Sequence, residues 1–207
     1  MIIDPQEQNR RDAYFFAISL IIPRPIAFVT SQNAEGVVNS APFSYFNGIS
    51  TKPALFTISI ADKKDSKKDT LNNILSKKEF CVNFVSEQMA EGVTVSSAEF
   101  PPEESEMNYN GFSLTDSERI AVPRIKESPA TIEAKLVRTI DDLGNFTLVI
   151  AEVLLYHVND ELIDKETGYV DANKARFLGR LGGMDFATLG QVKTVGRKPW
   201  NEYEPTT

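Results

Sequence analysis

Residues 130–160 constrain the fold most. They read ATIEAKLVRTI, then a turn over 141–145 that contains Gly144, then FTLVIAEVLLYHV. Two β-branched arms joined by a glycine turn predict a long antiparallel hairpin. In the second arm Phe146, Leu148, Ile150 and Leu154 fall on one face, and Val149, Ala151, Val153 and Leu155 on the other. A strand that is apolar on both faces has to be covered on both. A barrel wall beneath a second copy of the chain meets that requirement. His157 closes the arm, either as a strand-end histidine bonded to a neighbour or as a ligand contact.

Earlier, residues 24–60 carry strand-like runs near 26–31, 36–41 and 54–60, the first two joined by a turn holding Asn33 and Gly36. Between the strands, residues 39–47 read as a loop that is unusually rich in ligand-binding side chains. Asn39, Ser40, Ser44 and Asn47 offer hydrogen bonds there, and Phe43, Tyr45 and Phe46 offer flat apolar surface. That mixture suits a flat ligand with polar edges.

The segment DKKDSKKDTLNNILSKKEF predicts a helix starting near Lys67. Ser66 and Asp69 have capping-box spacing, and Leu71, Ile74 and Leu75 form an apolar stripe. Lys67 and Lys68 in a first turn oppose the helix dipole unless an anion binds there; the plain alternative is a solvated charge run with Lys63 and Lys64. Residues 79–85, EFCVNFV, alternate as a strand and make Cys81 a core residue rather than a nucleophile, since no base lies near it in sequence. Ser86 caps a helix running through Met89 to about Val95. Residues 99–111 form an acidic, proline-containing surface excursion, either a lid or a loop. Residues 14–22 are apolar and fit a buried strand or a short helix equally. Near the C-terminus, Gly182 and Gly183 predict a tight backbone feature.

Composition narrows the function. A chain of 207 residues with 42% hydrophobic content fills one core. The net charge of −7 argues against nucleic acid as a partner. One cysteine and one histidine leave little for a metal site or a catalytic triad, and HExxH, GxSxG, GxxxxGK[ST] and GxGxxG are absent. No stretch of about twenty uncharged apolar residues predicts a membrane span, and no signal-peptide pattern opens the chain, so a cytoplasmic protein is expected. Hydride transfer through a flavin is compatible with this inventory, because the cofactor supplies the electronics and the protein binds and orients it.

RPIAFVT (24–30), NSAPFSYFNGIS (39–50), KKDTLNNI (67–74), EFCVNFV (79–85), Ser105 with Glu106, ESPATIE (127–133) and RLGG (180–183) recur in one order and spacing. In these the chain resembles the flavin reductase-like, FMN-binding split-barrel family over nearly all of residues 14–200. In length and texture it is similar to flavin reductase components of two-component monooxygenases of the nitrilotriacetate monooxygenase reductase type. The resemblance implies a mainly β fold, a six-stranded antiparallel Greek-key split barrel with peripheral α-helices, between an N-terminal arm (1–13) and a C-terminal tail (201–207). It also implies a homodimer with FMN near the interface, NADH or NADPH as hydride donor, and a monooxygenase as a candidate partner.

Carried onto this chain, the resemblance makes Asn39, Ala41, Ser44, Tyr45 and Phe46 the cradle of the flavin ring and ribityl chain. Lys67, Lys68, Asp69 and Thr70 become the phosphate end, with Asp69 bracing the turn, and Arg24, Thr30 and Ser59 are further contacts. Asp185 and Phe186 stand where many relatives carry a tyrosine nearby. No residue is implied as a catalytic acid, base or metal ligand. The expected activity is NAD(P)H-dependent flavin reduction; the alternatives are a non-catalytic FMN carrier or sensor, and an FMN enzyme acting on another small substrate.

Overall fold

The two arms of the predicted hairpin are the longest strands of the protein and form the middle of its sheet. The structure, a computed structural model, describes residues 1–64 and 66–203; Asp65 and the end of the C-terminal tail lie outside the described residues. In chain order the sheet strands are β1 (Ala27–Gln32), β2 (Val38–Phe43), β3 (Phe46–Thr51), β4 (Ala54–Ala61), β5 (Glu79–Phe84), β6 (Ala130–Leu143) and β7 (Phe146–Val158). They pair in the order β2-β1-β5-β6-β7-β4-β3, antiparallel throughout.

This corrects the expected six-stranded barrel. Seven strands form one open sheet, and its edge strands β2 and β3 are not hydrogen-bonded to each other. The additional strand, β3, comes from the segment read as loop: only Ser44 and Tyr45 separate β2 from β3. A two-residue link reaches about 10 Å at most, yet it joins opposite edges of the sheet. The sheet must therefore curl until those edges meet at one corner. The Ser59 amide donates to the Tyr45 carbonyl at 2.8 Å and fastens that corner to β4.

Inside the curl, Val29, Ile58, Ile60, Phe80, Val82, Ile132 and Val149 make the main core. Helix α2 (Asp69–Lys77) buries Leu71 and Ile74 completely against it, as the apolar stripe predicts. The helix starts later than expected, with Lys68 as its N-cap and no side-chain cap. The capping box does not form, because Asp69 is the first helical residue and not the third; its carboxylate takes the Lys63 ammonium at 2.7 Å. A second cluster, with Phe28, Met89, Val93 and Ile125, packs on the outer face under α3 (Ala90–Val95).

Residues 10–20, split between the expected arm and an unassigned run, form α1 (Arg10–Leu20), capped by Asn9, whose Oδ1 accepts the Asp12 amide at 3.0 Å. The acidic excursion is only partly a surface feature. Glu106 turns inward, 5% exposed, and its Oε2 accepts the Ser40 amide at 2.9 Å. The Gly182–Gly183 expectation holds: Gly183 has φ +60°, and a Cβ on Gly182 would lie 3.3 Å from Ser19.

Across the outer face, His157 Nε2 meets Glu133 Oε1 at 2.6 Å. It is a strand histidine bonded to a neighbour, the first of its two readings. The buried Glu133 carboxylate also accepts the Glu118 and Arg119 amides, each at 2.7 Å. Burial works to raise the Glu133 pKa, but the bonds from Glu118, His157 and Arg119 together hold it below the ordinary carboxylate range. Beside it Cys81 is fully buried, and burial pushes its thiol up to about 12, so no nucleophilic thiolate forms there.

Candidate flavin site

The corner where the sheet edges meet is lined by cavities. One of about 640 Å³ is bounded by Tyr14, Phe43, Tyr45 and Phe146 as flat walls and by Ser44, Ser59 and Asn145 as polar groups. The Tyr45 and Phe146 rings stand 5.7 Å apart. Burial, with Tyr14 nearby, pushes the Tyr45 phenol up, so it stays a neutral hydroxyl. Asp62 also lines this space, and its Oδ1 is buried without a hydrogen-bond partner among the described residues.

A smaller cavity of about 130 Å³ adjoins it through Pro42 and Lys68 and is the polar end of the site. Asn39, Ala41, Lys63, Lys68, Asp69 and Thr70 line it. Asn39 Nδ2 donates to Thr70 Oγ1 at 2.9 Å, which ties β2 to the start of α2. The Lys68 ammonium lies 5.8 Å from the Phe43 ring centre, so the cation stands where the two cavities join. Asp69, held by Lys63, braces the turn and leaves Lys68 without a carboxylate partner among the described residues.

Nine of the twelve expected contacts gather here or beside it: Asn39, Ala41, Ser44, Tyr45, Ser59, Lys68, Asp69 and Thr70 on cavity walls, with Phe46 half-buried just beyond, edge-on to Phe56. Three are placed differently. Lys67 faces away and pairs with Asp141 at 3.6 Å. Thr30 is fully buried, its hydroxyl donating to the Pro123 carbonyl at 2.7 Å. Arg24 is 5% exposed and donates to the carbonyls of Ile18, Ile21 and Leu181, and through Nε to Ser44 Oγ at 3.2 Å. It thus fixes Ser44 at the cavity wall instead of lining the cavity itself.

Sequence reasoning missed Arg10, Arg11 and Tyr14, which α1 brings to the large cavity, and Ser96 and Ser97, which the end of α3 brings to the polar one. For α1 a signal existed: Asn9 and Asp12 have capping spacing and bond reciprocally, at 3.0 and 2.7 Å. For Ser96 and Ser97 none did.

A flavin mononucleotide asks for flat walls, acceptors and donors at a polar ring edge, and cations with hydroxyls at the phosphate. The isoalloxazine edge carries one N–H between two carbonyls, so the unpartnered Asp62 oxygen and the nearby Ser44 and Ser59 hydroxyls have the right chemistry. Lys68 and Thr70 on the walls of the smaller cavity would supply the anion end. The residues present fit the group.

Residues 19–177 match the profile of the flavin reductase like domain. The structure is similar to that of nitrilotriacetate monooxygenase component B from Bacillus cereus, with 36% identity, a TM-score of 0.89, and coverage of 94% of this chain and 98% of that one. It is similar also to 2-nitrobenzoate 2-nitroreductase NbaA of Pseudomonas fluorescens, with 34% identity, a TM-score of 0.88, and coverage of 97% and 98%. An uncharacterized protein of Halalkalibacterium halodurans is 37% identical over 203 residues, 95% of this chain and 96% of its own. A fold assembled around one lined corner and a profile matched over most of its length lead to one conclusion: the chain belongs to the flavin reductase-like domain family.

Proposed function

We propose that the protein binds FMN at this corner and reduces it with NADH or NADPH. The observation that carries the reading is the junction at Lys68, where an aromatic-walled cavity of about 640 Å³ meets a polar one that already holds a cation, a buried threonine and an asparagine. Lys68 and Thr70 hold the phosphate. Tyr45 and Phe146 flank the ring, and Ser44, oriented by Arg24, offers its hydroxyl at the polar edge. The chemistry a bound flavin supplies is hydride acceptance from a nicotinamide, which asks no proton transfer of the protein. The chain's own contribution is binding, orientation and exclusion of water by the aromatic walls.

The working unit in this reading is a homodimer. Tyr14, Phe15 and Phe16 of α1, with Leu20, Ile21 and Ile22, are all more than a third exposed and form an apolar surface beside the cavity. A second chain packed there would cover them and close the site. The reduced flavin would serve a monooxygenase, a role supported by the 36% identity to a monooxygenase component B. A second reading, an FMN enzyme that reduces a small organic substrate itself, is favoured by the 34% identity to a nitroreductase. Steady-state NADH and NADPH oxidation with added FMN tests the first. Turnover that rises with FMN supports a reductase, whereas turnover that needs a nitroaromatic acceptor supports the second reading. FMN binding without either leaves a carrier or sensor.

A further inference from the structure

A third cavity, of about 230 Å³, shares Tyr14, Pro42, Phe43 and Ser44 with the large one and extends away from it under α3. Its walls are mostly apolar, with Ile26, Val93 and Phe186 opposite Phe43, and Arg180 is its single cationic side chain.

Arg180 is held rigidly. Its guanidinium lies 4.6 Å from the Phe186 ring centre, Nη2 donates to the Gly183 carbonyl at 2.6 Å and Nη1 to the Asp185 carbonyl at 3.1 Å. Those bonds leave the larger part of its N–H donors free. Neither Arg180 nor the neighbouring Arg24 has a carboxylate partner among the described residues. Half-burial and the Arg24 charge alongside both press the Arg180 pKa down. In a chain of net charge −7, two adjacent arginines bonded only to carbonyls and a hydroxyl make a local positive site that the nearby Asp185 carboxylate offsets only in part.

We propose that this cavity is a subsite for the carboxylate of a small flat aromatic acid, anchored by Arg180 beside the flavin cavity. The guanidinium plane matches a carboxylate in a way a lysine does not, and the Phe43 and Phe186 rings suit a planar body. Size selects the ligand class. A space of about 230 Å³ takes one ring with its carboxylate but lies below the range of whole nucleotide-sized ligands. The inference rests on the flavin reading only in taking the adjoining cavity as the redox site.

Isothermal titration of the FMN-loaded protein with benzoate and with benzamide, its neutral isostere, tests the assignment. Benzoate should bind ~10-fold more tightly than benzamide. Arg180→Met should remove that preference while leaving benzamide binding unchanged, and Arg180→Lys should restore part of it. Far-UV circular dichroism verifies that both variants fold. Equal binding of the two probes, or an Arg180→Met variant that keeps the preference, overturns the proposal. So does an Arg180→Met variant whose only change is a raised KM for NADH, because the arginine then serves the dinucleotide's phosphates. FMN loading is read first by absorbance: failure to load counts against the flavin reading alone, and benzoate is then titrated into the protein as purified.

Discussion

Lys68 and Thr70 meet the polar cavity from the start of α2, one as an ammonium with no carboxylate partner among the described residues and the other as a hydroxyl already oriented by Asn39. Replacing both by alanine should weaken FMN binding by ~100-fold, about two charge-assisted hydrogen bonds. Fluorescence titration reads it, and unchanged affinity would remove the phosphate assignment. Glu106 lines the same cavity, and its pKa is raised, first by burial, with Asp69 adding to it. A bound phosphate would raise it further, so binding takes up a proton and affinity falls as pH rises through the Glu106 value. A further rise of one unit on binding is worth ~10-fold. Glu106→Gln should flatten that part of the FMN affinity profile; the same slope in both proteins would show that the phosphate's own titration accounts for it. Both positions were only half legible. The KKDT run pointed to an anion site, whereas the pairing of Ser105 with Glu106 marked a family motif inside an acidic, proline-containing stretch without showing that Glu106 would turn inward.

At the scale of elements, the sheet was legible where periodicity was strong, in β5, β6 and β7, and illegible at its edges. Residues 46–51 are almost wholly exposed, so β3 has no buried alternation to betray it. Helix α1 fails for the same reason: it buries Ile18 alone, and its remaining apolar residues face outward, so no inward stripe marks it. Conversely, the Glu133–His157 pair joins β6, β7 and the 117–122 turn through contacts distant in sequence, and no local pattern foretells it. Its energetic role follows from burial. Glu133→Ala would leave His157 and the part-buried Glu118 and Arg119 amides without their acceptor and should cost ~1–3 kcal/mol in urea unfolding. The pH sign is fixed as well. The folded Glu133 pKa is below its unfolded value, so its stabilisation is complete above about pH 4.3 and is lost as pH falls through the folded value. Glu106 has the opposite sign, because its raised pKa makes the fold less stable as pH climbs past the ordinary carboxylate value. A variant as stable as the parent in urea would mean that the 117–122 turn is held by other contacts.

For the whole molecule, the curl that brings β2 and β3 together builds the site at the one corner where a two-residue link joins the sheet's edges. The apolar surface of α1 lies next to it, so in the proposed reading dimer formation and flavin binding would be neighbours in space. Light scattering coupled to gel filtration should give twice the 23.1 kDa chain mass, and Phe15→Glu with Leu20→Glu should halve it and weaken FMN retention. A monomeric parent protein would contradict that surface's assignment. Activity is decided more directly by anaerobic stopped-flow absorbance of the FMN-loaded protein mixed with NADH and, separately, with NADPH. Rapid bleaching of the flavin's visible band by at least one nucleotide is the predicted result and names the donor. Retained FMN that neither nucleotide bleaches would contradict the reductase account.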